Sequence, residues 1–259
     1  MDYNPPVYNR DIGNGLAIKI YSNALRPFQR AQGLLESEPE TIRWIDSFEE
    51  DTVFYDVGAN VGTYSLYAGT VKKNVKVYSF EPFSANYFLL NKNIELNQLN
   101  KSVTGFPIAI AGESKIDLLH MKTTDIGTAE KQFGTNDDYL GGTFDSVFEQ
   151  GMVGCSITDL VNRHEFKFPN YIKIDVDGLE EEIVVGSKDV FTDKRLKSVL
   201  IELSMKRKEE LDRVHKFFYD NGFQLESTSP GEIIPAKQEI YECHQYVFSR
   251  EPTMGTQCG

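Results

Sequence analysis

Short apolar runs alternate with amphipathic stretches along most of the chain. Runs rich in β-branched and aromatic residues predict strands, and they occupy positions 52–57, 76–81, 102–110, 170–176, 198–203, 222–228 and 244–249. Helical periodicity marks segments between them, at positions 63–73, 84–97, 180–191 and 207–222. This alternation predicts an α/β fold with right-handed crossovers, a mostly parallel seven-stranded sheet and helices on both faces. The last two runs are joined without a helical period, so we expect the last strand to be antiparallel.

The segments outside this pattern are assigned more coarsely. Before the first run, positions 15–22 predict a strand and positions 37–48 predict a helix with an acidic first turn. Positions 115–149 mix Gly, Thr, Asp and aromatic residues, and we expect loops and short strands there near the carboxyl edge of the sheet. The predicted organisation is an N-terminal extension that caps the sheet at 1–50, a main domain at 51–250 and a flexible tail at 251–259.

Composition narrows the choice of partners and of location. A net charge of −12 and a pI near 4.9 repel phosphate backbones and anionic lipid surfaces, so we expect no nucleic-acid partner. Three scattered cysteines form no CxxC pair, which favours a reducing setting. The sequence has no secretory signal pattern and no apolar run long enough for a membrane span, so we expect a cytoplasmic location.

A glycine-containing turn follows the first apolar run and is the first candidate site. Gly58-Ala59-Asn60-Val61-Gly62 lies between a predicted strand and a predicted helix, the position where open parallel sheets bind ligands. Glycine lets the backbone bend sharply and approach a ligand closely. The turn lacks the lysine of a phosphate-binding loop, and Asn60 stands where the dinucleotide fingerprint has its second glycine. The turn therefore departs from both of those nucleotide motifs.

An acidic residue ends the second predicted strand. Glu81 follows Asp56 by 25 positions, so its carboxylate is placed to accept the two hydroxyls of a ribose. Such a residue serves NAD and S-adenosylmethionine equally, so it leaves both cofactors open. A solvated strand end and a plain tight turn are the alternatives for each feature taken alone. Together, within one strand-turn-helix-strand unit, the two features favour a nucleoside site.

Three blocks of sequence carry a family resemblance. FYDVGANVGTYSL, YSFEPFSANYFLLNKNIELN and YIKIDVDGLEEEIVVG, in that order, resemble the signature blocks of FkbM-type S-adenosylmethionine-dependent methyltransferases. The resemblance implies a class I methyltransferase fold over the main domain. It also implies a cofactor site in which Glu81 binds the ribose, Pro82 and Phe83 flank the adenine, and Ala109 to Ala111, including Ile110, line its other face. The remaining cofactor residues implied are Asp56, Gly58, Ala59, Asn60, Gly62, Thr63 and Asp175.

The end of the fourth predicted strand, KIDVDGLEEE, offers the groups for chemistry. Asp175 is the candidate general base, because methyl transfer to a hydroxyl needs an acceptor for its proton. Glu180 and His164 are further candidates for this role, although a carboxylate in the first turn of a helix also interacts favourably with the helix dipole. A divalent metal is a second interpretation of these carboxylates, and its ligands would be Asp175 and Asp177. The histidines have no zinc-binding spacing.

The resemblance and the motifs lead to one functional hypothesis. We expect an O-methyltransferase that converts S-adenosylmethionine to S-adenosylhomocysteine and methylates a hydroxyl of a small molecule or a glycan. The fourth strand ends in IDVDG without the prolines with which amino methyltransferases hold a nitrogen acceptor. An NAD-type oxidoreductase and an inactive cofactor-binding module remain alternatives, and the sequence leaves the acceptor and the oligomeric state open.

Overall fold

The computed structural model describes residues 4–137, 142–229, 233–234, 239–240 and 243–250. In chain order, the strands are β1 (Val7–Gly13), β2 (Leu16–Tyr21), β3 (Val53–Val57), β4 (Lys76–Phe80), β5 (Val103–Phe106), β6 (Ala109–Ile110), β7 (Lys115–Met121), β8 (Lys131–Phe133), β9 (Phe148–Cys155), β10 (Tyr171–Ile174), β11 (Ser198–Ser204), β12 (Gln224–Thr228), β13 (Ile233–Ile234), β14 (Glu239–Ile240) and β15 (Cys243–Ser249). The helices are α1 (Leu25–Gln32), α2 (Pro39–Asp46), α3 (Thr63–Val71), α4 (Ser84–Leu96), α5 (Ile157–Asn162), α6 (Glu180–Gly186), α7 (Lys188–Thr192) and α8 (Lys208–Asp220).

Seven strands form the central sheet in the order β12-β15-β11-β10-β3-β4-β5. The strands from β11 to β5 are parallel, whereas β15 is antiparallel to both of its neighbours. This arrangement confirms the predicted seven-stranded sheet with an antiparallel last strand. Strand order reverses between β3 and β10, so the carboxyl ends of these two strands flank the crevice in which doubly wound sheets bind ligands.

Both faces of the sheet are covered, as the continuous apolar strands require. Successive side chains of a strand point to opposite faces, so Phe54 and Tyr55 belong to two different hydrophobic clusters. The Phe54 cluster contains residues of β2, α1, α2, α3 and α4, and the Tyr55 cluster contains residues of α5 to α8. None of the helices in the described part of the chain combines the length and the apolar character needed to cross a membrane.

The N-terminal residues pack directly on this domain. The backbone N–H groups of Lys19 and Tyr21 in β2 donate to the side-chain oxygens of Asn97 and Asn93, at 2.8 and 2.9 Å. The indole N–H of Trp44 in α2 donates to Ser198 Oγ at 2.8 Å. The strand and helix predicted here thus correspond to β2 and α2, whereas the predicted tail at 251–259 lies outside the described residues.

A second sheet, of order β6-β9-β7-β8, fills the region for which we predicted loops and short strands. Its two main strands, β7 and β9, are longer than the short strands that we expected. The sequence did not predict their length, because apolar residues on their outer face hide the alternating pattern. Ile116 and Val153 face each other across β7 and β9 and are 83% and 53% exposed.

Candidate functional site

The turn after β3 is built around residues with positive φ. Gly58, Asn60 and Gly62 have φ values of +82°, +52° and +91°. A Cβ atom on Gly58 would lie 1.9 Å from the carbonyl oxygen of Asp175, and one on Gly62 would lie 2.5 Å from Leu90 Cδ1. The glycines are therefore required by packing within the protein, in addition to the close approach of a ligand that the sequence suggested.

Glu81 links this turn to the end of β4. Its Oε2 accepts the backbone N–H of Asn60 at 2.9 Å, and its Oε1 accepts the backbone N–H of Phe83 at 2.9 Å. The side-chain amide of Asn86 is 3.4 Å from Oε1. Burial raises the pKa of Glu81, and Lys131 and these hydrogen bonds counteract the rise. A carboxylate has about four acceptor positions, so acceptor capacity remains for a ligand hydroxyl.

The Asp56 carboxylate is buried and hydrogen-bonded within the protein. Its Oδ2 accepts the hydroxyl of Ser65 in α3 at 2.5 Å, and this hydroxyl is 2.6 Å from that of Ser79 in β4. Burial raises the pKa of Asp56, opposed by Lys173 and the hydrogen bond from Ser65. The contacts of Asp56 thus join β3 and β4 to α3.

Two polar atoms next to the turn lack a protein partner. Asn60 Oδ1 and Thr63 Oγ1 are buried, and neither atom forms a hydrogen bond with the described part of the chain. A buried polar atom without a partner is costly, and both atoms lie among the residues expected to hold the cofactor. Together with Glu81, they supply acceptors for ribose hydroxyls and an ammonium group, so the residues present fit S-adenosylmethionine.

An apolar cavity of about 30 Å³ adjoins the turn on the side expected for the adenine. Pro82, Ala109 and Ile110, all predicted for this side, line it, and Lys131 of β8 borders it as well. The Lys131 ammonium lies 4.9 Å from the centre of the Phe83 ring and donates to the carbonyl oxygen of Thr128 at 2.6 Å. Burial lowers the pKa of Lys131.

The segment before β8 lies against the turn. The Thr128 carbonyl accepts the side-chain amide of Asn60 at 3.2 Å, and the Gly127 N–H donates to Asn86 Oδ1 at 2.7 Å. Arg30 of α1 donates to the Gly127 carbonyl at 2.8 Å. One loop therefore contacts the turn, α4 and the N-terminal region together.

Asp175 lies where β10 ends and is paired with a lysine. Lys173 Nζ is 2.6 Å from Asp175 Oδ2 and 3.9 Å from Glu38 Oε2. The Lys173 side chain is 2% exposed, against 27% for Asp175. Burial alone would lower the pKa of Lys173, but Asp175, Glu38 and Asp56 outweigh it, so the pKa is raised.

The turn after Asp175 contains two more carboxylates, of which Asp177 is half-buried and Glu180 is buried. Asp177 Oδ2 accepts the backbone N–H of Glu130 at 2.7 Å, and burial, reinforced by Asp175, raises the pKa of Asp177 to about 6. Glu180 Oε1 accepts the N–H groups of Val176 and Gly178 at 3.1 and 3.2 Å. Burial raises the pKa of Glu180 to about 8. One Glu180 oxygen therefore stabilises the turn between β10 and α6 by hydrogen bonds.

The other candidates lie outside this group. His164 is exposed in the segment between α5 and β10, and its backbone N–H donates to the Asp159 carbonyl. Glu181 forms an ion pair with Arg213 at 2.5 Å, and Glu182 is exposed. Among the described residues, no cluster of three or more His, Cys, Asp or Glu side chains is arranged to hold a metal ion.

The sequence alone did not identify Lys173, Glu38 or Lys131 as site residues. A lysine inside the otherwise apolar strand YIKI was a usable signal, since an unpaired charge is rarely buried. Glu38 and Lys131 gave no such signal. Glu38 precedes the short helix α2, Lys131 begins the short strand β8, and neither segment contains a recognisable motif.

Comparison with known proteins found solved structures and a sequence relative that are similar to this chain. Trm5b from Pyrococcus abyssi superposes with a TM-score of 0.51 at 12% identity, over 96% of this chain and 57% of that one. M. capricolum TrmK, solved with S-adenosylhomocysteine, matches with a TM-score of 0.45 at 9% identity, over 82% and 68% of the two chains. The hexuronic acid methyltransferase AglP of Haloferax volcanii is 28% identical over 153 residues, which span 59% of this chain and 57% of AglP.

A family model covers most of the chain. The model of the methyltransferase FkbM domain matches residues 56–225, from the end of β3 to the start of β12. The match includes the second and third sequence blocks in full and the first block from Asp56 onward. The chain belongs to the FkbM methyltransferase family.

Proposed function

We propose that this protein transfers the methyl group of S-adenosylmethionine to a hydroxyl oxygen of a glycan or small-molecule acceptor. The observation that carries this proposal is the combination of Glu81, Asn60 and Thr63 around the turn after β3. A buried carboxylate lies beside the turn, and the turn and the start of α3 contain two buried polar atoms that have no hydrogen-bond partner among the described residues. Family membership supports the reaction class, and the acceptor is inferred from Asp175 and from one relative.

The residues that would hold the cofactor follow the family resemblance, and the geometry supports them. Glu81 would bind the ribose hydroxyls, Asn60 and Thr63 would bind the polar end of the methionine, and Pro82, Ala109 and Ile110 would contact the adenine. When bound, S-adenosylmethionine supplies an electrophilic methyl group on a positively charged sulfur. Asp175 and Glu38 both lie within 4 Å of the single Lys173 ammonium, and this excess of carboxylates over lysine suits a cation.

Asp175 has the properties required of a proton acceptor. Its carboxylate lies at the carboxyl edge of the sheet, partly exposed, and Lys173 holds one of its oxygens. The other oxygen can accept the hydroxyl proton as the new carbon–oxygen bond forms. Positioning the acceptor contributes the larger part of such catalysis, and a general base adds roughly 100- to 10,000-fold.

The choice of a glycan acceptor draws on one relative. AglP is a hexuronic acid methyltransferase, although the aligned region spans only 57% of its length. Hexuronic acids carry hydroxyl groups and a carboxyl group, and either can be methylated on oxygen. We assign the hydroxyl, because a general base such as Asp175 assists the loss of a proton from an alcohol, and a carboxylate needs no such help at neutral pH.

Calorimetric titration with S-adenosylmethionine, S-adenosylhomocysteine and NAD tests the cofactor. We expect binding of the two sulfur compounds and no binding of NAD. Binding of NAD alone would contradict the proposal and favour the oxidoreductase alternative.

Turnover with labelled S-adenosylmethionine tests the acceptor, with methyl glucuronoside and methyl glucoside as probes. We expect labelled product that survives mild alkali, since methyl ethers are stable there and methyl esters hydrolyse. An alkali-labile label would show transfer to the carboxyl group. Cofactor binding without transfer to either sugar would favour a cofactor-binding module.

A further inference from the structure

One row of side chains crosses the centre of the sheet near its carboxyl edge. Lys173 in β10 is in register with Asp56 in β3, and Asp56 is in register with Ser79 in β4. Registered residues of neighbouring strands point to the same face, here the face covered by α3. Asp175 lies two residues beyond Lys173, so both side chains project to that face, where the N-terminal region also packs.

Lys173 is the one lysine among the fully buried residues that the structure describes. Its ammonium is 2.6 Å from Asp175, 3.9 Å from Glu38 and 5.3 Å from the centre of the Tyr64 ring. A buried ammonium is costly unless carboxylates surround it. The charged and titratable groups that interact with this ammonium or its partners are Arg30, Glu38, Asp56, Tyr64, Asp175, Asp177 and Glu202.

Glu38 enters this group from the N-terminal region and is held on two sides. Thr41 in the first turn of α2 donates to Glu38 Oε2 at 2.9 Å. The side-chain amide of Gln245 in β15 donates to the same oxygen. Gln245 Oε1 is an alternative acceptor for the same Thr41 hydroxyl, at 3.1 Å. The oxygen that faces Lys173 is therefore fixed by α2 and by the sheet.

We infer that Lys173 and Glu38 are positioning residues for Asp175, and that the N-terminal region thereby forms part of the acceptor site. Lys173 orients the Asp175 carboxylate through the 2.6 Å contact, and Glu38 keeps the ammonium in place from the opposite side. The inference rests on the proposed role of Asp175 as the proton acceptor. It makes the first forty residues a functional requirement of the enzyme.

A purely structural ion pair is the competing explanation, since buried pairs also stabilise folds without taking part in chemistry. The two explanations differ in what they predict for a folded variant. Loss of a structural pair changes stability, whereas loss of a positioning contact also changes kcat and the surroundings of the Asp175 carboxyl group.

The experiment uses the full chain and the variants Lys173→Met, Lys173→Arg and Glu38→Gln. Lys76→Met is the matched control. Lys76 is a partly buried lysine at the start of β4, and its ammonium donates a hydrogen bond to the Thr104 hydroxyl. The first readout is turnover of labelled S-adenosylmethionine with methyl glucuronoside. The second is the carboxyl carbon NMR signal of Asp175 in protein labelled with [4-¹³C]aspartate, identified by its loss in Asp175→Asn.

We expect Lys173→Met and Glu38→Gln to lower kcat by roughly 10- to 100-fold, with an unchanged KM for S-adenosylmethionine. We expect the Asp175 signal to shift in both variants and to return toward its wild-type position in Lys173→Arg. Lys76→Met should leave both readouts unchanged. If Lys173→Met does not fold, Glu38→Gln decides, since Glu38 is 22% exposed and glutamine has the same shape.

Wild-type kcat and an unshifted Asp175 signal in folded Glu38→Gln would overturn the inference. If the wild-type protein binds the cofactor but methylates neither sugar, the proposed acceptor fails, and the carbon signal alone decides whether Lys173 and Glu38 position Asp175.

Discussion

The backbone N–H of Asn60 donates a 2.9 Å hydrogen bond to the carboxylate of Glu81. This bond joins the turn after β3 to the end of β4, so a single carboxylate shapes the turn and, with three donors already bound, retains about one acceptor position. The same residue is thus structural in the free protein and, in our proposal, the ribose ligand.

Replacing Glu81 should weaken cofactor binding more than replacing Glu182 of the third sequence block. We expect Glu81→Ala to weaken binding of S-adenosylhomocysteine by about 10- to 100-fold, because hydrogen bonds to a charged group contribute about 1.5 to 3 kcal/mol. Glu182→Ala, at an exposed position of α6, is the control and should bind normally. Calorimetry measures both, and equal effects would mean that the ribose lies elsewhere.

Gly58 should tolerate no side chain. Alanine there would combine a φ of +82° with a Cβ atom 1.9 Å from the Asp175 carbonyl oxygen, and we expect a loss of roughly 2 to 4 kcal/mol in the free energy of unfolding. Gly13→Ala separates the two causes, since Gly13 has a φ of +87° and nothing within 4 Å of the added atom. Its loss should be about 1 kcal/mol, measured by urea unfolding. Similar losses at both positions would contradict a role for the contact with Asp175.

Glu180 should make the protein less stable as pH rises. Its pKa is about 8 in the folded state and about 4.3 in an unfolded chain, so the folded state binds more protons between these values. The free energy of unfolding therefore falls from about pH 4.3 to about pH 8. Glutamine keeps the oxygen that accepts the two N–H groups and removes the ionisation.

We expect Glu180→Gln to be more stable than the wild type at pH 8, by on the order of 2 kcal/mol, and to lose this advantage near pH 4.5. Urea unfolding across this range provides the measurement, with Glu182→Gln as the exposed control. An advantage that is independent of pH would rule out the ionisation of Glu180 as its cause.

The side chain of Asn60 should contribute to cofactor binding, whereas its backbone conformation does not require asparagine. Its φ of +52° already suits glycine, so we expect Asn60→Gly to fold normally, with a stability change similar to that of Asn74→Gly at a φ of +56°. Loss of the side chain removes Oδ1 from the site and the contact with Thr128. Binding of S-adenosylhomocysteine should weaken about 10-fold, and NAD should still not bind. Unchanged binding in calorimetry would remove Asn60 from the proposed cofactor site.

The central sheet could be predicted because buried parallel strands are continuous apolar runs, as in Val53–Val57 and Ser198–Ser204. The sheet formed by β6 to β9 could not, since Ile116 and Val153 on its exposed face remove the alternation that marks a half-buried strand. Periodicity reports burial, and it fails where apolar residues face solvent.

The turn around Asn60 and Glu81 was easier to locate from the sequence than the contacts of Asp175. Glu81 and the turn around Asn60 follow strands directly, where parallel sheets place ligand-binding residues. Glu38 reaches Asp175 through Lys173 from more than 130 positions away in the sequence, and no local pattern specifies such a contact. The side-chain direction of Asp56, toward Ser65, was likewise set by packing.

The position of β15 has a consequence for biosynthesis. β15 lies between β11 and β12 and supplies Gln245 to Glu38. When a nascent chain has emerged from the ribosome only as far as β12, β12 cannot join the central sheet. The strand that lies between β12 and β11, which is β15, has not yet been synthesised. The contact between Gln245 and Glu38 therefore forms only after β15 has been synthesised.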